Sequence, residues 1–127
     1  MSKALLPPLL VLGGILTFSL WNSHAVTERT DRWCGQLQQA EILGVGEDWA
    51  TAGATLEDSY EDWFESQTYL HIVSHHDAVD DADAMYRRAM AFATAEESSE
   101  FRAEIADLQD QLRLVAEIER FSLKNIL

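Results

Sequence analysis

"DWATAGATLEDSYEDWFESQTYL" (residues 48–70) is the stretch that decides the fold. Trp49, Leu56, Trp63 and Leu70 recur every seven residues, with Ala52 and Tyr60 beside them and Val73 just beyond. About seven residues make two turns of α-helix, so these side chains share one face, whereas a strand would alternate them. The spacing predicts a helix from Glu47 or Asp48 to Ser74 or His75, apolar on one stripe and acidic elsewhere.

The same period continues on both sides. Val26, Trp33, Leu37 and Ala40 predict a helix from Val26 to Leu43, ended by Gly44 and Gly46. Val79, Ala82, Tyr86, Ala89 and Ala93 predict a third, from Asp77 to Ala95. Phe101, Ile105, Leu108, Leu112 and Val115 predict a fourth, running to Leu123, with Ser98 and Ser99 as its N-caps. No Gly or Pro follows Gly53, which leaves 127 − 53 = 74 residues without a helix breaker. The expected fold is all-α. Short loops make successive helices antiparallel neighbours, so three to four of them form an up-down bundle. Trp33, Trp49 and Trp63 lie on the apolar stripes and are assigned to its core rather than to ligand stacking.

Before the bundle comes a segment of different character. "ALLPPLLVLGGILTFSLW" (residues 4–21) has no charged residue over eighteen positions. Eighteen helical residues cover about 27 Å, the lower limit for crossing a bilayer. Pro7 and Pro8 stand near its start, and Trp21 takes the place of an interfacial aromatic. This divides the chain into residues 1–25, a transmembrane helix that anchors it in the lipid bilayer, and residues 26–127, an acidic domain outside the cytoplasm. The charge pattern places Lys3 inside. Ser23 and Ala25 also fit a signal-peptide cut after Ala25, which would instead secrete the domain. The apolar run is longer than most signal peptides use, and favours retention.

The formal net charge is −13, and residues 25–127 carry 8 − 22 = −14. Such a surface excludes nucleic acid as a partner and repels anionic lipid head groups. About a hundred residues bury a modest core, enough for a bundle but not for a typical enzyme. The one cysteine, Cys34, excludes an internal disulfide and reads as a buried helix residue.

"HIVSHHDAVDDAD" (residues 71–83) is the one stretch with the look of chemistry. His71 and His75 are i and i+4, so on a helix they face one way. With His76 and Asp80 they could ligate zinc or another divalent metal, or respond to pH. Ile72 stands where a zinc protease needs its glutamate, which argues against a hydrolase. The competing reading is a helix junction: His75 and His76 close one helix, Asp77 caps the next, and Asp80 lies in its first turn. No phosphate-binding loop, calcium loop or nucleophile elbow is present.

The order of the apolar segment, "DWATAGATLEDSYEDW", "HHDAVDDAD" and "SLKNIL" resembles the bacterial domain-of-unknown-function family 4363. The resemblance covers nearly the whole chain. It implies a small, single-span, helical membrane protein of Gram-positive spore-formers and their relatives, with no established activity and hence no catalytic residues. It sets His76 and Asp77 on the family's His–acid position, and implies a membrane partner of the YetF-like kind. The expectation is a non-enzymatic accessory or interaction component of the cell envelope, binding a membrane protein or itself. The alternative is an exported metal- or pH-responsive module built on His71, His75 and His76.

Overall fold

The computed structural model describes the backbone of residues 2–73 and 76–126, and the side chains of residues 5–66 and 77–121. It holds four helices: α1 (Ser2–Val45), α2 (Trp49–Val73), α3 (His76–Thr94) and α4 (Ser98–Ile126), with no strand among the described residues. Chain neighbours pack against each other, α4 closes the ring on α1, and α2 and α4 touch only slightly across the diagonal. The result is the expected antiparallel up-down bundle, in its four-helix form. The apolar stripes converge inside it. Leu37, Leu56, Ala82, Tyr86, Ile105 and Leu108 are fully buried, as are Trp63 and Phe101. Trp33 is buried too. Trp49 packs against the core but stays half-buried, its ring edge-on to Phe101 at 5.2 Å between centroids.

α1 passes without a break from the apolar segment into the bundle. Its first half has no protein around it: Leu5, Leu10, Phe18, Leu20 and Trp21 are 61%, 68%, 59%, 72% and 64% exposed. The helix begins at Ser2, so Pro7 and Pro8 lie in its second turn rather than among the amides that lack acceptors anyway. The end of the bundle from which this segment leaves is here called the base. The α1/α2 and α3/α4 turns form the distal end.

Those two turns share one design. The Asp48 amide donates to the Leu43 carbonyl and the Glu47 amide to Gly44. Likewise the Glu97 amide donates to Phe92 and the Glu96 amide to Ala93. Each is a Schellman motif, in which the second residue past the helix end adopts the left-handed conformation. Glycine normally takes that position. Here it is Glu47 (φ 63°) in one turn and Glu96 (φ 56°) in the other. The expectation that Gly44 and Gly46 end α1 is thus corrected. Gly44 serves a packing role: a Cβ there would stand 2.9 Å from the Phe101 ring and 3.1 Å from the Trp49 ring. The residue after each left-handed glutamate starts the next helix. The Asp48 carbonyl accepts from Ala52 and its carboxylate from the Thr51 amide, and the Glu97 carbonyl accepts from Phe101. Glu97 therefore caps α4, and Ser98 is its first helical residue rather than its cap.

Four substitutions test these turn assignments. Glu47→Gly and Glu96→Gly each remove left-handed strain and are expected to raise stability by about 0.5–1 kcal/mol. Gly44→Ala is expected to lower it, while Gly35→Ala, with open space around its Cβ, gains helix propensity of up to about 1 kcal/mol. Thermal melts followed by circular dichroism distinguish the two signs.

Candidate functional site

The polar groups of the bundle sit between helices, at positions that fix their register. Asp62 of α2 faces α1. Its Oδ2 accepts from Arg32 Nη2 at 2.7 Å, Arg32 Nε at 3.0 Å and Trp33 Nε1 at 2.8 Å. Between α2 and α3, Ser59 and Tyr86 share a fully buried hydrogen bond of 2.9 Å. One turn outward, the Tyr60 hydroxyl donates to Asp83 at 2.6 Å, and Arg87 holds the other oxygen of that carboxylate. The bond to Asp83, with partial burial, raises the Tyr60 phenol above its ordinary range. Burial pushes Tyr86 up as well. α4 is tied to its neighbours by Gln109 donating to the Cys34 carbonyl and Gln111 to the Ala78 carbonyl. Cys34 is buried and unpaired, and burial raises its thiol, with Arg113 opposing. It is not presented for crosslinking.

Glu119, near the base, is the buried acid. It is 2% exposed, and Arg29 of α1 approaches its Oε1 at 3.4 Å. Desolvation raises its carboxyl, with Arg29 and then Arg120 opposing. Arg120 itself reaches the Thr27 hydroxyl at 2.9 Å.

Of the four sequence-predicted metal residues, the structure describes the side chain of Asp80 alone. The side chains of His71 and His76, and all of His75, lie outside the described residues. Asp80 is exposed in the early part of α3. Among the described residues no group of three His, Cys, Asp or Glu side chains could hold a metal ion. The junction reading needs one correction. His76 opens α3 rather than closing α2, so Asp77 belongs to the first helical turn instead of capping it. An aspartate still matches the positive end of the helix there, but His76 does not.

A groove of about 630 Å³ lies at the distal end, between α2 and α3. Its floor on α2 is made of the small residues Ala50, Gly53 and Ala54. Trp49, Met90, Glu57 and Glu96 complete its walls. Those walls carry carboxylates and apolar groups, with no nucleophile beside a base.

Sequence reasoning missed Glu119 and Ser59, and both were detectable. Glu119 continues the stripe Leu112–Val115 by four residues, and Ser59 follows Leu56 by three. A polar residue on a core register signals a buried hydrogen bond or ion pair. Asp62 and Asp83 flank their stripes, and nothing in the sequence alone pairs them with their partners.

The family model described as Domain of unknown function (DUF4363) matches residues 20–126. The chain belongs to this family. The match begins near the end of the apolar segment and covers the bundle. Neither a search of curated proteins nor one of solved structures gives a match.

The raised carboxyl of Glu119 has a testable sign. The folded protein holds this proton at pH values where the unfolded chain has released it. Stability from the group is therefore full below the ordinary carboxyl range, and is lost as pH rises through the folded pKa. Glu119→Gln is neutral throughout. Its Tm minus that of the wild type should be more positive at about pH 7.5 than at about pH 4; a difference that falls or stays flat contradicts a desolvated carboxyl.

Proposed function

We propose that the protein is a membrane-anchored, non-enzymatic helical domain that faces outward from the cytoplasmic membrane and acts by binding an integral membrane protein or a second copy of itself. The observation that carries the anchoring is the exposure of the first half of α1. One window of this helix is long and apolar enough to cross a membrane, and only 6% of it is buried within the fold. A helix of that composition left in water would expose several hundred Å² of apolar surface, which bilayer insertion removes. The domain it carries has its apolar stripes consumed by its own core. Interhelix ion pairs such as Arg88–Glu104 at 2.7 Å close its seams. This supports recognition at its surface over chemistry in its interior. Orientation rests on the positive-inside preference, with Lys3 on the cytoplasmic side.

Labelling in intact cells tests the reading. A cysteine at exposed Glu57, in the full chain with Cys34→Ala, is expected to react with a membrane-impermeant maleimide without permeabilisation. The protein should also stay in the membrane fraction after alkaline carbonate extraction. Labelling only after permeabilisation reverses the orientation, and extraction into the soluble fraction removes the anchor. For the interaction, crosslinking before detergent solubilisation should give a discrete heavier species; a monodisperse monomer with no co-purifying protein counts against it.

A further inference from the structure

Acidic residues are spread over the bundle, but they stop at one level. On α1 the first is Glu28, on α2 the last is Glu65, and on α4 the last is Glu119. The structure places these three in one layer. Arg32 and Trp33 meet Asp62, which sets Glu65, about one turn further along antiparallel α2, close to the height of Glu28. Arg29 meets Glu119, and Arg120 meets Thr27. α3 starts at the same level. Tyr60 meets Asp83 and Ser59 meets Tyr86 on antiparallel helices, so Asp77 stands about level with Ser66, in the layer, and Asp80 and Asp81 lie on its distal side.

Below the layer, toward the base, three helix ends continue: α1 back toward Trp21, α2 through "SQTYLHIV" (66–73) and α4 through "RFSLKNI" (120–126). None of these stretches contains a carboxylate, and the α4 stretch adds Arg120 and Lys124. His24 is exposed there and pairs with Glu28 at 3.0 Å. Phe121 is 65% exposed at this end, much as Trp21 is at the adjoining edge of the apolar segment. By the Arg120–Thr27 contact, Phe121 lies within about two turns of Trp21 along the bundle axis.

We infer that the base of the bundle is itself a lipid-binding surface: the acid-free ends of α1, α2 and α4 are seated in the head-group interface of the bilayer, with Phe121 inserted beside Trp21. This rests on the anchoring reading and goes beyond it, since an anchor alone would let the bundle stand clear of the lipid. Three properties fit the interface at once. Carboxylates, costly there, are absent. Arginine and lysine, which extend their head groups toward water and phosphate, are present. Exposed aromatics lie at the level where membrane proteins place them. The unbroken α1 delivers this surface to the bilayer without a linker.

Nitroxide labels on the full chain in phosphatidylcholine/phosphatidylglycerol nanodiscs test the inference. Single cysteines replace Leu12, Phe64 or Phe121 with Cys34→Ala; if that change costs the fold, native Cys34 can stay, because it is buried. Collision with oxygen, which concentrates in lipid, is compared with collision with a water-soluble nickel chelate. Leu12 is expected to favour oxygen and Phe64, exposed on the distal side of the layer, to favour nickel. Phe121 is expected to favour oxygen, at least several-fold over Phe64. Nickel-favoured collision at Phe121 with oxygen-favoured Leu12 overturns this inference and leaves the anchor standing. Shielding of Phe121 from both reagents also overturns it, in favour of a protein contact. Nickel-favoured collision at Leu12 overturns the anchor reading itself.

Discussion

The architecture depends on the continuity of α1. One helix is solvent-exposed over its first half and buried on one face over its second, with no hinge residue between Trp21 and Val26. A continuous helix is stiff over this length, so whatever fixes the direction of the apolar segment also fixes the direction of the bundle axis. The other three helices then have no freedom of placement. α2 and α4 run antiparallel along α1, pinned near the base by Asp62 and Glu119 and at the distal end by Gly44 against Phe101. α3 closes the ring through Tyr86 and Asp83.

The pinning groups differ in kind along the axis. At the distal end it is steric: a glycine lets the aromatic rings of Trp49 and Phe101 approach the backbone of α1. In the middle it is a neutral hydrogen bond, Ser59 to Tyr86, which buries no charge and so costs little desolvation. Near the base it is an ion pair whose acid is buried and whose base, Arg29, is part-exposed. A buried pair of this type seldom adds net stability over an apolar pair of the same shape, and is best understood as fixing which faces meet. Register matters most there, because α4 could slide along α1 by one turn with similar aliphatic contacts. The carboxylate would then lose its arginine.

The helices and their order were legible from periodicity, because each stripe is long and its residues are almost all buried in one core. No breaker separates the apolar segment from the first bundle helix, and the two form one helix. The turns were not. Glycines near position 45 suggested a glycine stop, yet the left-handed positions fell to Glu47 and Glu96, residues that carry no sequence signal for that conformation. The His–Asp stretch drew attention because its residue types are those of metal sites, while the buried acid at Glu119 sat unremarked at the end of an apolar stripe. Residue type is a weak guide to environment when each helix has one buried face; register is the better one.

Register also changes what the net charge means. A formal charge of −13 read as a single number argues against contact with anionic lipid. Mapped onto antiparallel helices, the charge is graded along the axis. The distal turns hold Glu47, Asp48, Glu96 and Glu97, two of which start helices whose partial positive charge favours them. Beyond the layer of Glu28, Glu65, Asp77 and Glu119, the stretches of α1, α2 and α4 that continue toward the base carry no carboxylate. With a Debye length of about 8 Å at physiological ionic strength, the distal acids are largely screened from a surface several turns away. On the proposed seating, the bilayer would therefore meet the local composition of the base rather than the net charge.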